Sequence, residues 1–295
     1  MHPAPSVILF TVLSGVGFGF LGALDLGLLP VQGVAALVAF GLAYGLAVAG
    51  LAASTFHLGN PQRALRAFSQ WRTSWLSREG WASVAALAAS APVALAVAFR
   101  PDLALAGHLP GWIAAVLCVA TILCTSMIYA QLKTVPRWHH WTTPLAFFAF
   151  ALAGGAILAL PGWIAALALV VLGGVMALAF TLGDGRFERE GQSLAAATGL
   201  GPRVRPFAPP HTSSNYVMRE MIHQVGRKHA QKLRLIAVGL GAGLPALLML
   251  ALPAGPVASV LALVPHLIGA FAQRWLFFAE AEHVVSHYYG RGTGG

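Results

Sequence analysis

Eight apolar runs, each about 20 residues long, constrain this chain more than anything else in it. They cover roughly 6–28, 33–56, 80–99, 110–132, 143–160, 162–182, 233–252 and 257–279. A run of that length crosses the hydrocarbon core of a bilayer as an α-helix. Inside the core only a helix or a closed barrel satisfies every backbone polar group. The predicted fold is therefore all-α: a polytopic membrane protein, an eight-helix transmembrane bundle forming one integral membrane unit over residues 1–295. The chain is 58% hydrophobic and 9% charged, against about 25% charged in soluble domains, which excludes a pair of soluble domains. The start, Met1-His2-Pro3-Ala4-Pro5, carries no basic n-region, so the first run is read as a retained helix.

An even number of spans puts both termini on one side, and the charges say which. Seventeen of the 18 Lys and Arg fall after runs two, four and six or near the C-terminus, and Arg100 alone falls on the other face. By the positive-inside rule the basic face is cytoplasmic, and so are both termini. The expected location is the cytoplasmic (inner) membrane. The formal charge of +9 then reports topology, and no nucleic-acid partner is expected. The connection 183–232 is the one sizeable cytoplasmic segment. Its middle, Gly-Pro-Arg-Val-Arg-Pro-Phe-Ala-Pro-Pro, cannot be regular for long. An amphipathic helix is expected over Tyr216–Arg234, with Val217, Met221, Val225 and Leu233 on one face.

Residues 54–80 form an island of polar, basic and aromatic chemistry between two spans. His57 closes the run before it and Glu79 opens the run after it. One reading is structural, with His57 capping a helix end and Glu79 pairing with an Arg. The other is proton exchange with a bound redox carrier, because a quinone gains or loses two protons. Histidine titrates near neutrality, and ionisable groups at membrane depth are functional candidates by default. Ser77, Arg78 and Trp75 stand beside Glu79 and complete the candidate quinone-binding set. Trp71, Trp75 and Trp81, with Phe56 and Phe68, suit an interfacial belt, or the walls of a pocket for a flat ring. Arg63, Arg66 and Arg72 serve topology and lipid phosphate first, and docking of a soluble partner second.

Other cofactors fare badly. A membrane haem takes axial ligands from facing helices, and His57 and His266 fall at different depths. Cys118 and Cys124 are separated on a helix by about 9 Å of rise, too far for a disulfide, and two thiols cannot hold an iron–sulfur cluster. Glu280, His283 and His287 resemble half of a metal site without its counterpart. No metal, haem or cluster is expected in this chain. No phosphate loop, dinucleotide fingerprint or nucleophile elbow is present either, so the chain is not expected to complete a catalytic cycle alone. A transporter is disfavoured because the charges collect at one face rather than near the midplane.

Thr-Phe-His-Leu-Gly-Asn-Pro at 55–61 followed by Ser-Arg-Glu at 77–79 resembles the membrane anchor subunit family of dimethyl sulfoxide reductase. So do Met-Ile-Tyr-Ala-Gln-Leu-Lys-Thr-Val-Pro-Arg-Trp at 127–138 and Arg-Trp-Leu-Phe-Phe-Ala-Glu-Ala at 274–281. Within the family the chain is most similar to the branch that serves cytoplasmic, quinone-linked sulfite dehydrogenases. The resemblance implies a three-part oxidoreductase. A molybdopterin subunit handles substrate, a four-cluster iron–sulfur subunit passes electrons, and the anchor binds quinone without a haem of its own. The family's quinol-associated His and Glu match His57 and Glu79. In the dimethyl sulfoxide reductase branch the face carrying the anchor's termini is periplasmic. Here that face is basic, which favours a cytoplasmic catalytic side and electron flow from sulfite to quinone. The quinol-oxidising anchor of a dimethyl sulfoxide or related reductase is the alternative.

Overall fold

The computed structural model describes residues 2–56, 60–191, 193–200, 204, 207 and 229–289. Eight helices are long and apolar enough to cross a membrane: α1 Pro5–Asp25, α2 Gly33–Thr55, α3 Trp75–Phe99, α4 Leu109–Ala130, α5 Thr142–Ala159, α6 Gly162–Gly183, α7 Ala230–Ala251 and α8 Pro256–Ala279. No strand occurs among the described residues. Proline sits in the first turn of α1, α4 and α8, where its missing N–H costs nothing. His57 and residues 216–228 of the expected amphipathic helix lie outside the described residues.

The third helix begins five residues earlier than its apolar run. Ser74 is the reason: its Oγ accepts from the Ser77 N–H at 3.4 Å and caps the helix start. Ser77, Arg78 and Glu79 therefore belong to a helix rather than to the connection.

α1 is the hub, packed against α2, α4, α5 and α8, while α3 pairs with α4 and α6 with α5 and α7. Small residues make these approaches possible, since van der Waals packing is a main source of helix association in lipid. Only some of the glycines are in contact. Gly15, Gly41 and Gly45 face open space, whereas a Cβ on Gly17 would lie 2.4 Å from Ala47 N, and one on Gly50 2.4 Å from Ser14 N. In α7 the backbone takes a π turn at Gly239–Gly243. There a Cβ on Gly269 of α8 would meet Gly241 N at 2.0 Å.

Four charges tie the connections together at the basic end. Arg234 binds Asp184 through two hydrogen bonds of 2.8 and 2.6 Å and gives its Nε–H to Glu280 at 2.8 Å. Arg137 reaches Glu280 at 2.5 Å and Asp184 at 3.3 Å. Two cations facing two anions close this end of α6, α7 and α8 against the α4–α5 connection. The hydrogen bonds from Arg234, with the positive charge around them, hold the Asp184 carboxyl below the usual carboxylate range. A depressed folded value means the stabilisation is full above the unfolded value and is lost as pH falls through the folded one. Asp184→Asn is therefore expected to lower the melting midpoint at pH 7. The gap to wild type should begin to narrow as the pH falls below the ordinary carboxylate value of 3.8 and close only below the depressed folded value.

Candidate functional site

Glu79 lies about one turn inside α3 from its basic end. Its side chain turns inward, 4% exposed, and meets α4. Thr125 Oγ1 lies 2.5 Å from Glu79 Oε1 and 3.0 Å from the Thr121 carbonyl. One hydroxyl proton cannot serve both contacts. When the hydroxyl proton goes to the Thr121 carbonyl, the contact with Glu79 needs a second proton, and within the pair only the Glu79 carboxyl can carry it.

Thr125 also borders a cavity of about 20 Å³ between α1, α4, α5 and α8. That volume holds about one water. Thr11, Ser14, Phe147, Phe150 and Arg274 share its wall. Arg274 is the unexpected member. The charge count assigns it to the basic face, yet it is 2% exposed within α8. Its Cζ lies 3.8 Å from the Phe147 ring centroid and 5.1 Å from that of Phe150, and Nη1 donates to Gln273 Oε1 at 3.1 Å. No carboxylate among the described residues pairs with it. A lone charge in a helix centre costs about 2.5–3.5 kcal/mol on insertion scales, and a desolvated cation–π contact returns about 2, so the aromatic box offsets much of the burial. Tyr129 extends the box, stacked on Phe147 with centroids 5.7 Å apart and edge-on to Trp138 at 5.4 Å. Arg274→Met is expected to leave the yield of folded protein at or above wild type, because it removes a buried charge at similar volume. Arg274→Ala empties the box and should lower that yield, as read by size-exclusion chromatography of the solubilised protein.

The other predicted residues divide by face. Ser77 is buried, and its Oγ has no hydrogen-bond partner among the described residues. Arg78 turns back to the connection. It donates to the carbonyls of Trp71 at 2.9 Å and Arg72 at 2.7 Å, with Cζ 4.4 Å from the Trp75 ring centroid. It clamps the entry to α3 and does not meet Glu79's partners. Arg63 and Arg66 are exposed on a 3-10 segment, Pro61–Phe68, and Arg72 is exposed just beyond it. Leu65 is 84% exposed and Trp71 54%, so this connection presents apolar and basic side chains together. Phe68 instead packs edge-on against Trp81 of α3 at 5.5 Å.

His266 is buried in α8, its Nδ1 2.7 Å from the Gly241 carbonyl of the π turn. Glu280, His283 and His287 do not share one helix: α8 ends at Ala279 and a separate 3-10 turn spans Val284–Tyr289. Among the described residues no group of three or more His, Cys, Asp and Glu is placed to hold a metal.

A multi-pass bundle with a buried carboxyl–hydroxyl pair near one end, beneath an exposed basic connection, is the build of a membrane anchor. The chain belongs to the DMSO reductase anchor subunit (DmsC) family, whose model matches residues 1–182. It is 33% identical over 335 aligned positions to a sulfite dehydrogenase subunit of Allochromatium vinosum, covering 98% of this chain and 99% of that one. No solved structure matches the chain.

Proposed function

We propose that this chain is the quinone-reactive anchor of a cytoplasm-facing sulfite:quinone oxidoreductase in the inner membrane. The observation that carries the reading is the buried Glu79–Thr125 pair, a proton site one turn below a basic, partner-accessible surface. A quinone supplies two-electron, two-proton chemistry at the membrane. The described residues fit the proton part of that chemistry. They do not fit a ring inside the bundle, because the cavity beside Thr125 has room for about 20 Å³ only. Glu79 therefore holds and passes a proton from within the wall of the bundle. His57, preceding the same connection, is its proposed companion. Ser77, whose buried hydroxyl has no partner among the described residues, is a further donor at that level. Arg78 and Trp75 keep the connection in place.

Sulfite as the donor substrate follows from the full-length similarity to a sulfite dehydrogenase subunit together with the basic, cytoplasmic placement of the docking face. Arg63, Arg66 and Arg72, with exposed Leu65 and Trp71, would receive a four-cluster iron–sulfur subunit, which in turn carries the molybdopterin subunit. The test is purification of the tagged chain from its native membrane. Co-purifying molybdenum and iron–sulfur subunits, sulfite-dependent reduction of a short-chain ubiquinone, and a cytoplasmic signal from a reporter fused after Gly295 are expected. A periplasmic reporter, or quinol oxidation by dimethyl sulfoxide without sulfite activity, would point to the reductase branch instead.

A further inference from the structure

Asp25 is a second buried carboxylate, at the end of the bundle opposite the basic face. It closes α1 with 0% exposure. Ser90 of α3 donates to its Oδ2 at 2.6 Å, and Oδ1 has no hydrogen-bond partner among the described residues. Packing does not explain it. A carboxylate at a helix C-terminus opposes the helix dipole, and a half-satisfied buried acid is costly. Tyr44 of α2 and Cys118 of α4 are the other titratable groups around it. Tyr44 gives its hydroxyl proton to the Leu87 carbonyl at 2.6 Å, and no cation faces the carboxyl in the ion pairs of the described residues.

Between Asp25 and Glu79 runs the α3–α4 seam. Glu79, Ser83 and Ser90 stand at i, i+4 and i+11, which places them on one face of α3. Thr125, Thr121 and Cys118, read backwards along antiparallel α4, form the matching face, and all six are buried. The pairing of Thr125 with Glu79 sets the register. Thr121 and Ser83 then lie about 6 Å deeper, Cys118 about 10 Å deeper and Ser90 about 16 Å deeper, from the helical rise. Ser90, the deepest rung, binds Asp25. Every turn of the seam thus carries a hydroxyl or thiol, and a carboxyl stands at each end. Small hydroxyl residues alone would be ordinary helix packing. The unpartnered Asp25 oxygen, with the proton-bearing pair at the far end, is what packing leaves unexplained.

We propose that the α3–α4 seam is a proton path joining Asp25 to Glu79, so that protons exchanged at the quinone site come from, or leave to, the compartment opposite the basic face. The steps between rungs exceed a hydrogen bond, so each hop passes through a hydroxyl rotation and one entering water. The path rests on the reading of Glu79 as the quinone-linked proton site.

The test uses the whole complex in sealed vesicles with the basic face outward and a pH dye inside. Sulfite is the donor and a short-chain ubiquinone the acceptor; if the wild type shows no sulfite activity, the same vesicles run with a quinol and dimethyl sulfoxide. In the wild type each quinone reduced should withdraw protons from the lumen. Asp25→Asn and, separately, Thr121→Val should cut that withdrawal per quinone at least fivefold. Thr121→Val removes a hydroxyl at nearly constant shape, so it answers the question if Asp25→Asn fails to assemble. A purely structural role would lower the amount of complex but leave the proton-to-quinone ratio at its wild-type value. Wild-type turnover without lumenal pH change, or an unchanged ratio in the assembled variants, overturns the path. Full turnover in Glu79→Gln is a different failure: it removes the site reading itself.

Discussion

Replacing Glu79 by Gln is expected to lower quinone-coupled turnover about a hundredfold while the complex still assembles. Gln has the shape of Glu and can accept from Thr125 Oγ1 as Oε1 does at 2.5 Å. The α3–α4 contact therefore survives, and the variant even relieves the seam of a group that is costly to charge at 4% exposure. What it removes is the only proton in the pair that can come and go. A positioned general acid–base group contributes about 10²–10⁴ to rate, and the lower figure is the one to expect if His57 shares the work. The readout that separates proton chemistry from assembly is a soluble one-electron acceptor, which takes electrons from the partner subunits without the anchor. Sulfite oxidation with that acceptor should be unchanged in Glu79→Gln, and only the quinone-linked rate should fall. Equal rates with quinone would remove Glu79 from the mechanism.

Glu79 was legible in the sequence because it breaks an apolar pattern at a span's edge. Its partners were not. Thr125 sits in an unbroken apolar run, and a threonine there reads as a back-bonded helix residue. Only the register between α3 and α4 turns it toward Glu79. Arg274 lies five residues before the end of α8, close enough for a snorkelling side chain to reach the interface. The aromatic box of Phe147 and Phe150 holds it inside instead. Asp25 offered a plain signal, an acid at the end of a span with no neighbouring base, on the face where charges are otherwise scarce. Counting Lys and Arg for topology passes over it, since acids contribute little to that rule. The span boundaries themselves were readable to within a few residues, because apolar length is set by bilayer thickness. Which glycines touch depends on tertiary register, as Gly19 in contact and Gly15 in open space one turn away show.

The second large effect is expected at Gly19. A Cβ there would lie 2.0 Å from the Ala151 carbonyl oxygen and 2.7 Å from its carbon, and one on Gly155 would lie 2.6 Å from the Gly19 carbonyl. The backbones of α1 and α5 thus touch directly, and no side-chain rotation can make room. Gly19→Val forces the two helices apart by more than an ångström along the bundle's hub. Lipid offers no hydrophobic reason for them to stay close once that packing is lost. The damage extends to the site, because α1 and α5 supply Ser14, Val16, Phe147 and Phe150 to the cavity beside Thr125 and Arg274. With α5 displaced, Arg274 loses the ring that lies 3.8 Å from its guanidinium and is left a bare charge in the membrane. Extractable folded protein is expected to fall to about a tenth of wild type or less, a loss belonging to the exceptional class of core substitutions. Gly41→Val, at an exposed position of α2 where an added Cβ meets nothing within 4 Å, is the control and should be close to neutral. If both variants yield equal amounts of folded protein, the α1–α5 contact is not what holds the site together.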